Sequence, residues 1–208
     1  MPILDMLNVK YITIGQQLPI PDLEQVYSND NRYVYENTNV LPKAFFVDSV
    51  VTVSSPLEAV RSMEPGTSFD PSELAVIETD DAIVAMADTT ANVEITGYEA
   101  NRITIQSKRS NEGFLVLSEI YYPAGWQAEI DGNPVKIYKT NFVLRGLQVP
   151  AGEHSITLSF QPASAVWGAR LAWAGHLALW LCGLLALGMI YRNRKTGEAT
   201  EGEQQSNV

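Results

Sequence analysis

Residues 171–191 (LAWAGHLALWLCGLLALGMIY) hold no Lys, Arg, Asp or Glu, and this stretch limits the rest of the chain more than any other. As a helix rising about 1.5 Å per residue it is about 31 Å long, the thickness of one hydrocarbon core. Arg192, Arg194 and Lys195 follow at once, whereas the flank before the stretch carries only Arg170. Basic residues concentrate on the cytoplasmic side of a span, so the charge bias predicts a cytoplasmic C-terminus and an N-terminal head across the membrane. Residues 1–15 (MPILDMLNVKYITIG) have no basic segment followed by an apolar core of the kind that directs export. A translocated head without an export signal predicts that the chain is the last piece of a larger multi-span protein. A tail-anchored arrangement with a cytoplasmic head needs no signal, but it would carry those basic residues across the membrane.

Trp167 and Tyr191 bracket the span like an interfacial aromatic belt, and Ala174 and Ala178 offer a small-residue face to a partner helix. His176 lies about one turn inside the span, where an ionisable group is either functional or bonded near the head groups. Cys182 is the only cysteine and sits within the apolar stretch. The head therefore has no internal disulfide, thiolate cluster or Cys nucleophile. His154 and His176 are the only histidines, so a metal site would draw mainly on carboxylates, and neither a metal nor a cofactor is expected.

The formal charge of −10 is unevenly spread. Residues 1–90 hold four basic and fourteen acidic side chains, while residues 91–170 hold seven of each. That break predicts two subdomains meeting near Ala91, and the acidic balance argues against nucleic acid and anionic head groups as partners.

Residues 9–14, 32–36, 44–53 and 74–78 read as strands, with irregular chain over 16–31. Ser55-Pro56-Leu57-Glu58 opens a short helix, because Ser55 can cap, Pro56 suits the first turn and Glu58 stands three residues after the cap. From Ala91 the pattern becomes short strands at regular spacing: 92–99, 102–107, 113–121, 126–130, 133–138, 142–149 and 154–160. Asp131-Gly132 is a hairpin signal and Pro150-Ala151-Gly152 a second turn. The expected architecture is mainly β, with a small α+β subdomain at 1–90 and an antiparallel β-sandwich or jelly-roll-like domain at 91–165. A transmembrane helix with an interfacial lead-in follows at 166–191. The tail at 192–208 is polar, without aromatics beyond the span, and is expected to be disordered.

Several short motifs occur in order along the head. They include Leu7-Asn8-Val9-Lys10-Tyr11-Ile12, Leu41-Pro42-Lys43-Ala44-Phe45, Tyr98-Glu99-Ala100-Asn101-Arg102-Ile103 and Gly113-Phe114-Leu115-Val116-Leu117-Ser118-Glu119. Tyr121-Tyr122-Pro123-Ala124-Gly125-Trp126, Asn141, Arg145-Gly146 and Val149-Pro150-Ala151-Gly152-Glu153-His154 continue the series. Together they resemble the C-terminal region of the YfhO family of bacterial membrane proteins, over about residues 7–168 and on into the final span. The resemblance implies a long polytopic protein similar to membrane glycosyltransferases that use lipid-linked sugar donors. It implies many N-terminal spans, an extracytoplasmic β-rich region and a last helix in the bacterial cytoplasmic (inner) membrane. It also places the catalytic acid in an early loop, outside this sequence.

Glu119, Glu129 and Asp131 are the nearest approach to a carboxylate pair of the kind a glycosidase needs, but Asp131 is explained by the turn it starts. No catalytic residue is therefore assigned. Tyr121, Tyr122 and Trp126 with Asn141 and Arg145 form the candidate glycan-binding set. Aromatic faces stack on the apolar face of a pyranose, and amide or guanidinium groups meet its hydroxyls. Trp126 has an alternative role as a core residue of the sandwich. The expected function is a non-catalytic extracytoplasmic module and terminal anchor that positions a glycan acceptor or braces the transmembrane part. Its partners would be membrane lipid, a glycan or lipid-linked sugar, and the other spans, with no nucleic acid. The alternative is a free-standing single-pass module that binds a glycan or protein at the cell surface.

Overall fold

The computed structural model describes residues 1–205, with side chains through residue 190 other than Val166. Two compact units result, Met1–Gln161 and Pro162–Val208. The first half of the head runs α1 (Pro2–Met6), β1 (Tyr11–Ile14), β2 (Leu23–Asn29), β3 (Arg32–Asn37), β4 (Ala44–Val47), β5 (Ser49–Val53), α2 (Pro56–Ser62) and β6 (Leu74–Glu78). Then come β7 (Asn92–Glu99), β8 (Arg102–Arg109), β9 (Gly113–Ile120), β10 (Trp126–Ile130), β11 (Asn133–Val135), β12 (Tyr138–Thr140), β13 (Leu144–Val149) and β14 (Gly152–Phe160). The second unit holds α3 (Ala163–Gln205).

The strands form a three-stranded sheet β1-β3-β2, a five-stranded sheet β11-β10-β14-β8-β7 and a six-stranded sheet β4-β9-β13-β12-β6-β5. The head is thus mainly β, with antiparallel sheets and an early small helix, as the sequence predicts. Among the described residues one pair, β5 with β6, is parallel, joined by α2 as a strand–helix–strand unit.

The larger two sheets pack face to face. Ile103, Ile105, Ala128, Ile130, Ile156 and Leu158 from the five-stranded sheet meet Ala44, Leu115, Leu117, Leu147 and Val149 from the six-stranded one. Outward positions of β8 and β14 are polar, which is why these strands alternate in sequence. In contrast, β9 reads as the unbroken apolar run Phe114-Leu115-Val116-Leu117 because both of its faces are covered. Its Leu115 and Leu117 face the inter-sheet core, while Phe114 and Val116 enter a second core with Met6, Phe45, Val47, Ala59, Phe69 and Ile77.

That second core exists because the six-stranded sheet curls. Strands β4 and β5 stand at opposite ends of its order, yet only Asp48 separates them in the chain. Consecutive Cα atoms are about 3.8 Å apart, so the two edges of the sheet must meet at Asp48. The run 44–53, expected as one strand, is therefore one strand bent into two, each with its own partner. Asp48 and Ser49 both donate their amides to the Glu73 carbonyl at 2.9 Å and fix the bend. This sheet takes three strands from each side of residue 90, where the charge pattern suggests a division.

Other departures have local causes. The stretch 16–31, expected as irregular, contains β2, whose side chains are nearly all exposed and so show no apolar alternation; it pairs with β3 through the tight Asp30-Asn31 loop. The run 133–138 splits into β11 and β12, which belong to different sheets, so Lys136 and Ile137 carry the chain across the sandwich. The helix read from Ser55 forms as predicted: the Ser55 hydroxyl accepts from the Glu58 amide at 3.3 Å, and Glu58 accepts from the Ser54 amide at 3.0 Å.

Within α3, residues Ala163–Ile190 are long and apolar enough to cross a membrane, with none of that window buried inside the chain. His176 bonds through Nδ1 to the Ala172 carbonyl at 2.7 Å, one turn back along its own helix. The backbone stays helical through Gln205, where the sequence predicts a disordered tail. Ala, Glu, Gln and Lys extend an existing helix without a new nucleation cost. Residues 206–208 of that expected tail lie outside the described residues.

Candidate functional site

The sandwich has two ends. Strands β9 and β14 finish, and β10 and β13 begin, at one of them, from which Phe160 leads through Gln161 and Pro162 to α3. Here the β9–β10 link is Tyr121-Tyr122-Pro123-Ala124-Gly125, an aromatic loop rather than a tight turn. Its course is pinned at both ends. The Tyr121 amide donates to the Val143 carbonyl at 2.7 Å, and the Gly125 carbonyl accepts from the Gln161 amide at 2.7 Å. Gly125 is needed for space, since a Cβ would stand 2.5 Å from the Phe160 ring.

Four of the five predicted residues, Tyr121, Tyr122, Trp126 and Arg145, line one cleft of about 320 Å³ between the sheets. Gln127 and Glu129 of β10 add polar groups, and Pro134, Val135 and Ile137 form the apolar side. Tyr122 stands 53% exposed. Trp126 is half-buried at the border of the inter-sheet core, so its role as a core residue and its place in the cleft coexist. Its ring lies 5.5 Å from that of Phe160 at 48°, and the Arg145 guanidinium covers it at 4.0 Å. One face of Trp126 is therefore already occupied, which leaves Tyr122 as the freely presented aromatic surface.

Arg145 is only 4% exposed. Its Nε donates to the Ile120 carbonyl at 2.9 Å, and its buried Nη1 has no partner. Burial pushes its pKa below the ordinary guanidinium value, with Glu119 and the Tyr98 phenol opposing that shift. The guanidinium nonetheless stays charged at any physiological pH.

Asn141, the fifth predicted residue, does not line the cleft. It is fully buried and left-handed at φ 47°, followed by Phe142 at φ 67°. Its amide donates to the Val76 carbonyl at 2.7 Å and its Oδ1 accepts from the Val76 amide at 2.8 Å. Asn141 thus works as a splice between the β12–β13 turn and β6, a place where Asn tolerates left-handed backbone better than most residues. A turn-forming Asn and a sugar-binding Asn look alike in sequence, so nothing there separates the two.

The three carboxylates considered for hydrolysis have different surroundings. Glu119 accepts a hydrogen bond from the Tyr98 hydroxyl, whose ring lies 4.0 Å from the Lys43 ammonium. Glu129 lines the cleft. Asp131 stands at the other end of β10 in the hairpin turn, left-handed at φ 51° beside Gly132 at φ 79°. Its carboxylate pairs with His154 Nδ1 at 2.6 Å and accepts the Ser155 amide at 2.9 Å. Among the described residues no three His, Cys, Asp or Glu side chains converge on a point that would hold a metal ion.

A β-rich head with an aromatic cleft, followed directly by a helix of membrane-spanning length, defines a membrane protein with a folded polar module. A family model described as bacterial membrane protein YfhO matches residues 66–171, half of the chain. The chain belongs to the YfhO family of bacterial membrane proteins. The matched segment holds every cleft residue, whereas α1 and β1 to β5 precede it. No curated protein and no solved structure matches the chain.

Proposed function

We propose that this chain is a non-catalytic extracytoplasmic module and membrane anchor of a glycosyltransferase-like protein in the bacterial cytoplasmic membrane, and that its cleft holds an acceptor glycan. The observation that carries the reading is the convergence of Tyr121, Tyr122, Trp126 and Arg145 on one cleft beside Gln127 and Glu129. Aromatic surface flanked by a few polar groups suits a sugar ring, whose faces are apolar and whose edge carries hydroxyls. The engagement of Glu119 by the Tyr98 hydroxyl and of Asp131 by His154 and the Ser155 amide supports a binding role over hydrolysis, which needs two free acids across a bond. The basic cluster Arg192, Arg194 and Lys195 supports a cytoplasmic C-terminus.

The test is glycan binding by the full chain in lipid nanodiscs. Tyr122→Ala removes an exposed ring, so stability should change by no more than about 0.5 kcal/mol. Affinity for a bound oligosaccharide should fall about tenfold, equivalent to about 1.4 kcal/mol of lost stacking. Unchanged affinity in a folded Tyr122→Ala protein would end the cleft reading. Reporter fusions at Val208 test the orientation, and one active only outside the cytoplasm would reverse it.

A further inference from the structure

The cleft is lined by a buried charge that no carboxylate contacts directly. Arg145 is almost wholly buried, and no carboxylate lies within 4.0 Å of it among the described residues. Of the five N–H groups in the guanidinium, only the one on Nε has a protein acceptor there, the Ile120 carbonyl. Stacking on Trp126 satisfies a face of the ion, not its in-plane donors. A buried charge without a counter-ion costs several kcal/mol, and buried donors are paired in nearly all native structures. Nη1 is sealed from solvent without a partner, whereas Nη2 has no protein acceptor among the described residues and is not fully buried, so it is the donor that an oxyanion in the cleft can reach.

The geometry points to an acidic sugar as the ligand: we infer that the cleft takes a glycan carrying a carboxylate or phosphate, with that oxyanion on Nη2 of Arg145 and the ring against Tyr122. The inference rests on the glycan reading of the cleft and specifies its chemistry. Glu129 and Gln127, both exposed on β10, are left to accept and donate at neutral hydroxyls. Charges of the acidic head more than about 8 Å away are largely screened at physiological ionic strength, so Glu129 is the cleft carboxylate that such a ligand must be kept from by Arg145.

The test compares ligands on the unaltered full chain in zwitterionic nanodiscs before using any variant. The probes are an oligogalacturonate, its methyl ester, glucose 1-phosphate and inorganic phosphate. The oligogalacturonate or glucose 1-phosphate should bind about 10–100-fold more tightly than the neutral ester, the range of a charge-assisted pair. Preference for the first places the oxyanion on the glycan, and preference for the second places it at a sugar–phosphate linkage such as a lipid carrier provides. In Arg145→Gln that preference for acid over ester should vanish, and Arg145→Lys should restore part of it. Equal affinity for acid and ester overturns the acidic-sugar inference and leaves the glycan reading standing. Inorganic phosphate binding as tightly as either sugar also overturns it, by removing the sugar. No binding by any carbohydrate probe tells against the glycan reading itself.

Discussion

Two arginines close the two ends of the inter-sheet core, and they are built differently. Arg109, at the end with the tight turns, is 3% exposed and lies 4.4 Å over the Phe46 ring. Its Nε donates to the Asn111 carbonyl at 2.6 Å and its Nη2 to the Met86 carbonyl at 2.7 Å, while burial lowers its pKa and Asp88 and Asp48 oppose that shift. Asp88 is held in turn by the Thr90 hydroxyl and the Ser110 and Thr90 amides, which bring its own pKa down to about 2. Arg145 has the same burial and the same aromatic stacking, but one hydrogen bond, with Glu119 as the carboxylate that opposes the lowering of its pKa by burial. Arg109 fastens residues 86–111 into a closed corner. Arg145 is stacked and desolvated, yet keeps donors in reserve. Equal burial does not mean equal purpose: Arg109 has two donors on protein carbonyls and Arg145 one, while each keeps a buried Nη1 without a partner.

The sharpest way to break this contrast is to delete both charges. Arg109→Ala should destabilise the head by about 3 kcal/mol or more, since it strands two carbonyls and opens a hole over Phe46. Arg145→Gln should stay within about 1 kcal/mol of the parent, because removing an uncompensated buried charge is often neutral or stabilising. Urea unfolding of the full chain in nanodiscs, followed by near-ultraviolet circular dichroism, measures both, and equal losses would erase the distinction. The turns at the two ends sharpen it next. Asn141→Ala leaves the Val76 amide unpaired and puts at φ 47° a residue that tolerates left-handed backbone less well than Asn, so about 2–3 kcal/mol should be lost in the same experiment. Gly132→Ala at the opposite end has open space around it and only its φ of 79° to lose, so about 1 kcal/mol is expected.

The smallest effect is a pH dependence at the tight-turn end. Pairing with Asp131 raises the His154 pKa, so its contribution is complete below the unfolded value near 6.5 and fades as pH rises through the folded value. Hydrogen bonds from His154 and the Ser155 amide lower the Asp131 pKa, so that contribution exists above about 3.9 and fades as pH falls through the folded value. Stability of the parent relative to His154→Gln should therefore peak between these limits. A flat difference from pH 4 to pH 9 would remove the pair from the account.

Much of this was legible in the residues because the physics was local. The Ser55 cap, the Asp131-Gly132 turn and the apolar final stretch each carry their cause within a few positions. The cleft was legible too, since an aromatic loop and a nearby arginine stand close in the chain to the strands that gather them. What escaped was set at a distance. Asn141 reads as a surface amide until Val76, far away in sequence, takes both its bonds. The bend at Asp48 is invisible because strands 44–47 and 49–53 answer to different partners. β2 gave no signal because a strand exposed on both faces has no alternation to show.

The meeting of sheet edges at Asp48 bears on the behaviour of the head in a crowd. A sheet curled until its borders coincide offers little unpaired backbone for another chain to extend. The five-stranded sheet keeps two borders, and β11 is a three-residue strand with Pro134 at its centre, a poor template. That leaves β7, eight residues long and irregular between Ile95 and Gly97, as the long rim of this sheet, beside β2, the seven-residue exposed border of the three-stranded one. Along residues 92–99, Glu94, Thr96 and the kink at Gly97 are the features that make this border a poor template for another strand.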